Sequence, residues 1–363
     1  MILPELFPVN FPIEKQKRIM YNVTSAKRAR SVLARFWRTT RQSSDEVTSK
    51  CNVSAERRFA AGNSENEEGE HMHKFLRSIG FSTYRKKRDI ERLLASLIPS
   101  AKWRRIQLDE ETNLCELRAE VAPGMGIVMM GEMDEEGAFQ CEYYYPYLNS
   151  QDVSSTTDCS IQRHTEKETY AGLLDEYRVG ISLIFYLENC FEYRERKAKR
   201  VSRTAESVNL TGLAIEGKVL LPLHKTRKQI EMAKVAARDR NNLLEAAKKG
   251  DEDAMETLTI EDIDLYSQVS RRAMKEDLYS IVDSSFMPCG IECDQYSIIG
   301  EITNIETKEN RVSGEMVYDL TISCSDMVFH VGIAQKDLMG EPKVGRRFKG
   351  QIWMQGTAKF ADE

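Results

Sequence analysis

The sequence predicts an α+β protein: an antiparallel sheet with helices, then a charged helical connector, then a small C-terminal β-barrel of oligonucleotide-binding-like (OB-like) type. Three observations carry this reading. Strand-like runs separated by glycine-bearing turns fill residues 103–148; a long helical pattern with segregated charge follows from His224; and from Ile291 the apolar period becomes two. The expected units are 1–71, 72–223, 224–290 and 291–363, since 363 residues exceed what a single small core usually holds.

Residues 1–71 differ from the rest. Pro4, Pro8 and Pro12 interrupt the opening, Lys27 to Arg41 is basic, and Ala60 to His71 is polar and acidic without periodicity, as in a disordered tail. Glu68-Gly69-Glu70 just before Met72 also fits a translated ribosome-binding site, which makes 1–71 a non-native extension and Met72 the expected start. This stretch carries 12 basic and 9 acidic residues, leaving 40 basic against 48 acidic in the remainder. An acidic body argues against a generic binder of nucleic acid or anionic membranes.

From Met72 the pattern becomes regular. His73 to Ile79 and Arg85 to Ile98 read as two helices, the first ended by Gly80, the second carrying Ile90, Leu93, Leu94 and Leu97 at helical spacing. Trp103–Leu108, Leu114–Val121, Gly126–Met133 and Ala138–Leu148 read as an antiparallel meander, with Tyr143, Tyr145 and Tyr147 on one face as an aromatic ladder. Val179–Leu187 is a buried strand running into a helix over Glu188–Lys199. Val208–Leu213 and Lys218–Leu223 are two further strands that close the unit.

The connector opens with a helix over His224–Lys249 bearing eight Lys and Arg, followed by seven acids and no base over Gly250–Ser270. Helix dipoles account for this segregation: Lys248 and Lys249 end one helix at Gly250, Asp251 opens the next, and Thr259 with Asp262 resembles a capping box. Ile263, Tyr266, Val269 and Ala273 form one expected core stripe, and Leu278, Ile281, Val282 and Phe286 another. Asp277, Tyr279, Asp283, Asp294 and Tyr296 are left without a structural duty and stand as candidate binding residues. Beyond Ile291, alternation at Tyr296–Ile302, Tyr318–Cys324, Met327–Ile333 and Phe348–Met354 predicts about five short antiparallel strands.

Chemistry is sparse. Eight scattered cysteines without a CxxC pair fit a reducing, cytoplasmic setting. Cys289 and Cys293, with Cys324 and His330 further on, lack the paired spacing of a zinc site, so no metal or cofactor is expected. His164 with Glu166 and Glu168 could act as a base and its orienting acids, the catalytic alternative. Arg346, Arg347, Lys349 and Trp353 combine cations with an aromatic, the single-strand-binding alternative, although the barrel carries twelve acids against eight bases. The longest apolar run, Val179–Leu187, is too short to cross a bilayer.

The runs MHKFLRSIGFS, MDEEGAFQCEYYYPY, RHTEKETYAG, VGISLIFYLEN, GDEDAMETLTIEDIDLYSQVSRR, EDLYSIVDSSFMPCGIECDQYSIIGEI and GEPKVGRRFKGQIWMQG resemble a family of clostridial bacteria, domain of unknown function 3881, from Met72 to the C-terminus. The resemblance implies a Gram-positive anaerobe as the source and supplies no mechanism. The leading expectation is a non-catalytic cytosolic binding or scaffold protein, with a protein partner favoured over nucleic acid.

Overall fold

In the computed structural model the described residues are 73–107, 113–133, 138–164, 169–223, 227–290 and 293–361. The reading of 1–71, the start at Met72, and Glu166 and Glu168 all lie outside them.

The first element among the described residues is a 3-10 turn, Lys74–Ile79, whose Phe75, Leu76 and Ile79 are buried. It stops at Gly80, where φ is 89°, a left-handed value that glycine adopts without a Cβ penalty. Helix α1 (Lys87–Leu97) buries Ile90, Leu93 and Leu97, the spacing that the sequence shows. Strands β1 (Lys102–Gln107), β2 (Asn113–Ala122), β3 (Met125–Met133) and β4 (Phe139–Leu148) pair in order as the expected antiparallel meander.

Strands β5 (Cys159–Arg163), β6 (Tyr170–Glu176) and β7 (Ile181–Leu187) pair successively, and β7 hands the chain to α2 (Cys190–Lys199). Then comes β8, a single strand of 16 residues, Ala205–Leu220, where the sequence reading has two strands. The Ile215-Glu216 interruption of alternation is a bulge, not a turn: β14 (Arg347–Phe360) pairs Gly350 with Gly217 and Ile352 with Ala214, so one residue of β14 faces two of β8.

Helices α3 (Arg227–Lys248) and α4 (Glu252–Ala273) fold back on each other across Gly250. The N-cap of α4 is Asp251, which accepts from the Ala254 N–H at 3.1 Å. Thr259 is interior to that helix and its hydroxyl donates to the Met255 carbonyl, so the expected Thr259–Asp262 capping box does not form; helix propagation from Asp251 already occupies that turn. The second connector pattern is also shorter than expected. Helix α5 spans only Leu278–Ile281, and Ser285–Pro288 is strand β9. Phe286 is buried from a strand, packed on Tyr296 and Phe329; pairing with β10 outweighs its i, i+4 helical spacing.

Strands β10 (Gln295–Glu309), β11 (Met316–Cys324), β12 (Met327–Ala334) and the two-residue β13 (Leu338–Met339) complete the chain before β14. Pairing runs β8–β12–β11–β10–β14 and returns to β8, a ring in which only β12–β8 is parallel. β14 also pairs with β7 at Gln355 and Gly356, which attaches β6 and β5 to the same sheet. One continuous apolar core reaches from Phe75 to Phe360. The β1–β4 sheet joins it through contacts such as Tyr145 Oη donating to the Glu188 carbonyl, and the ion pair of half-buried Arg118 with buried Glu188.

Candidate functional site

The residues singled out from the sequence fall into three places. His164 is exposed at the end of β5, where its N–H donates to the Thr169 carbonyl at 2.7 Å and closes the β5–β6 hairpin. Asp277 precedes α5, Tyr279 lies within it and Asp283 follows it. Asp294 and Tyr296 lie at the entrance to β10.

Around α5 the interactions are those of a latch. Arg347 of β14 is 4% exposed, yet its guanidinium meets carbonyl oxygens and not a carboxylate: Leu221 twice, at 3.0 and 2.9 Å, Tyr279 at 2.7 Å and Val282 at 2.5 Å. Burial holds its pKa below the ordinary value, against the pull of the nearby Asp283 charge. Two residues along, the Lys349 ammonium donates to the Tyr279 hydroxyl and lies 4.2 Å above that ring. The Asp277 carbonyl accepts from the Ser280 N–H and hydroxyl, which starts the short helix.

A second latch sits at the other end of the same sheet. Asp294 accepts from the Trp353 indole N–H at 2.7 Å. The Tyr296 hydroxyl donates to the Ile184 carbonyl at 3.0 Å and accepts from the Ile184 N–H at 2.8 Å, bridging β10 to β7; burial pushes its pKa well up. Trp353 is 5% exposed, stacked on Phe75 at 5.3 Å and packed on His73 and Tyr186. Its ring face is thus taken by the 3-10 turn.

His330, named from the sequence only beside Cys289, Cys293 and Cys324, belongs instead to a polar cluster with Asp319, Asp152 and Lys308. His330 Nδ1 lies 2.8 Å from Asp319 Oδ1, its Nε2 lies 3.0 Å from Asp152 Oδ2, and Lys308 donates to Asp319 Oδ2 at 2.8 Å. Burial works against charge on His330, but the hydrogen bonds to Asp319 and Asp152 prevail and raise its pKa; burial likewise opposes charge on Asp319, and His330 with Lys308 prevail and lower it. The only hint in the sequence is that Asp319 interrupts an apolar strand. Cys324, by contrast, is fully buried with its thiol on the Ser285 and Ile299 carbonyls. Among the described residues no group of three ligating side chains is placed to hold a metal.

Apart from these places stands the α3–α4 arm. Its two helices meet through Leu243, Leu244, Ala246 and Ala247 on one side and Ala254, Met255 and Leu258 on the other, a small core separate from the main one. Arg240 reaches Glu261 and Asp262 across the hairpin. Ile263, expected to be core, is 51% exposed, and Met232, Val235, Ile260, Leu265 and Met274 are more so, up to 75%. Six of the fourteen large exposed apolar side chains among the described residues are therefore on this one element. Acids without an ion pair among the described residues, Asp253, Glu256 and Asp264, accompany them on α4.

The sequence profile of the family described as "Domain of unknown function, E. rectale Gene description (DUF3881)" matches residues 76–356, well over half of the chain. The chain belongs to this family. No curated protein and no solved structure matches it. The DUF3881 match includes the Arg347 latch, Asp294, Tyr296 and Trp353 of the second, the His330 cluster and the whole arm, and begins just after His73 and Phe75. No helix among the described residues of this DUF3881 chain is long and apolar enough to cross a membrane.

Proposed function

We propose that this protein is a non-catalytic cytoplasmic scaffold that holds a protein partner through the α3–α4 arm. The observation that carries the reading is the concentration of exposed apolar side chains on an element whose own core is only a few residues wide. Contiguous exposed apolar surface is rare on monomers and marks interaction sites. The acids beside Ile260 and Ile263 fit a partner segment that presents apolar residues together with Lys or Arg, since complementary charge steers and orders such contacts.

In this reading the strand ring β8–β12–β11–β10–β14 is a small OB-like barrel with β8 as the strand contributed from outside the C-terminal run. The β1–β4 sheet and α1 form its flank, and the connector residues Asp277, Tyr279, Asp283, Asp294 and Tyr296 set the stance of the arm on that base. The buried Trp353 and the carbonyl-bound Arg347 favour this reading over single-strand binding, and the hairpin-end position of His164 favours it over acid–base catalysis.

The test is photo-crosslinking from position 263 in the source organism, followed by titration with the purified partner. Binding should weaken by roughly a hundredfold in the Ile260→Asp, Ile263→Asp double variant, as for loss of two interface anchors. An exposed control substitution at Glu206 should leave it unchanged. If no protein is crosslinked above the level of that control position, or if the double variant binds its partner as well as the wild type, the scaffold reading fails.

A further inference from the structure

At the bulge in β8, segments far apart in sequence wall a groove of about 920 Å³. That lies in the size range of small-molecule sites, roughly 300–1,000 Å³. Its walls come from the 3-10 turn (Arg77), β8 (Glu216, Lys218), β10 (Ser297), the segment before β13 (Lys336, Asp337) and β14 (Lys349, Gln351). Bulges re-aim side chains and recur next to binding sites; here the bulge residues Glu216 and Gln351 are themselves part of the wall.

The charges in this groove are arranged against local stability. Lys218 and Lys349 are direct cross-strand partners, and like charges in that relation are unfavourable. Lys349 is detained by the Tyr279 ring and hydroxyl. Lys218 has no hydrogen bond or ion pair among the described residues, and the same is true of the side chains of Ser297 and Gln351. On the facing wall Arg77 is neutralised by Asp337 through two hydrogen bonds, one of them 2.6 Å. Lys336 is neutralised by Glu315 at 2.9 Å. What remains along the groove is the ammonium group of Lys218, that of Lys349 held on Tyr279, one carboxylate at Glu216, and two neutral hydrogen-bonding side chains. A site that breaks a local rule without a structural gain is where function is to be sought.

We propose that this groove binds a small phosphate-bearing molecule. The anion sits between Lys218 and Lys349, relieving their repulsion and making charge-assisted hydrogen bonds to both; Ser297, Gln351 and Glu216 meet hydroxyl or amino groups on the rest of the ligand. The groove lies on the strand ring, and no residue of α3 or α4 lines it. Nucleic-acid backbone shares the phosphate chemistry, but the groove is walled by Arg77–Asp337 on one side and the detained Lys349 on the other, the shape of a pocket for one molecule.

The experiment is calorimetric titration of the full chain with inorganic pyrophosphate at low ionic strength, alongside a short single-stranded oligonucleotide. Variants Lys218→Met and Gln351→Leu change exposed side chains outside the core, and circular dichroism verifies their fold. Saturable pyrophosphate binding is expected in the wild type, weakened at least roughly tenfold in Lys218→Met, as for loss of one charge-assisted contact. Lys218→Arg should restore it. The unliganded Lys218→Met protein should melt no lower than the wild type, since a like-charge contact has been removed. Absence of saturation at millimolar pyrophosphate overturns the proposal. So does unchanged affinity in both variants, or binding of the oligonucleotide alone.

Discussion

Arg347 and two histidines make the clearest cases for what single side chains do here. Arg347 carries a buried charge whose partners are the carbonyls of Leu221, Tyr279 and Val282, so its removal strands acceptors without leaving an orphaned carboxylate. Arg347→Met should lower the unfolding free energy by ~2 kcal/mol, the usual cost of unpairing partly buried acceptors, read by urea denaturation at constant m-value. A loss below ~0.5 kcal/mol, typical of an ordinary surface change, would sink the latch. The histidines pull in opposite directions with pH. Burial and the neighbouring Lys74 hold His73 at about 4, down from 6.5, so its contribution is present above pH 6.5 and lost as pH falls towards 4; the full loss is roughly 3 kcal/mol. His330 is shifted up, so its contribution is complete below pH 6.5 and fades as pH rises through its folded value. Thermal midpoints across pH should therefore lose their acid-side slope in His73→Phe, which keeps the packing on Trp353, and their slope above pH 6.5 in His330→Gln. A His73→Phe profile with the wild-type acid slope would refute that assignment. Neither shift is legible in the sequence, because His330 meets Asp152 from 178 residues away and His73 is covered by Trp353 of β14.

Elements were legible where one periodicity had no competitor. The four strands of the meander and α1 are where period two and period 3.6 put them; β2, β3, β4 and α1 bury apolar residues in the main core, while β1 stays largely exposed as the edge strand. Legibility failed where two local rules competed. Ser285–Pro288 satisfied a helical stripe, yet pairing with Tyr296–Ile299 made it β9; Thr259 matched a capping pattern that an earlier cap at Asp251 had already made redundant. The arm shows a different limit. Its stripe from Ile263 to Ala273 has the signature of a core face, and periodicity alone cannot say whether a core is there to receive it. With its own core reduced to the contacts around Ala254 and Leu258, the arm should open locally before the body unfolds. Hydrogen exchange should show α3 and α4 amides exchanging well ahead of β8 and β14. Leu258→Ala should cost the arm ~2 kcal/mol of protection, as a large-to-small change in a small core, while the global melting midpoint holds. Coupled loss of protection in β8 would show that the arm and the body are one cooperative unit.

At the scale of the whole molecule, the decisive contact is one that no local pattern announces: β8 lies between β12 and β14 although more than 70 residues and the entire arm separate it in sequence from β10. Parallel pairing of His330–Ile333 with Thr211–Ala214 has no turn to signal it, and the alternation of β8 reads equally well as the last strand of the preceding unit. The consequence for folding is specific. A fragment beginning at Ser284 contains β9 to β14 but lacks β8, so the edges of β12 and β14 are left unpaired, and unpaired edges with apolar residues between them recruit other chains. That fragment should be poorly dispersed by NMR and prone to associate. Adding a peptide of residues 205–220 in trans should restore a folded 1:1 complex, and the same peptide with Gly212→Val should not, because a Cβ there would come within 2.8 Å of Ile352 inside the packed ring. If the fragment from Ser284 folds unaided into a stable monomer, β8 is an accessory strand and the ring closes without it. If it folds only with the peptide, the two ends of the chain are a single folding unit through which the arm has been threaded as an insertion.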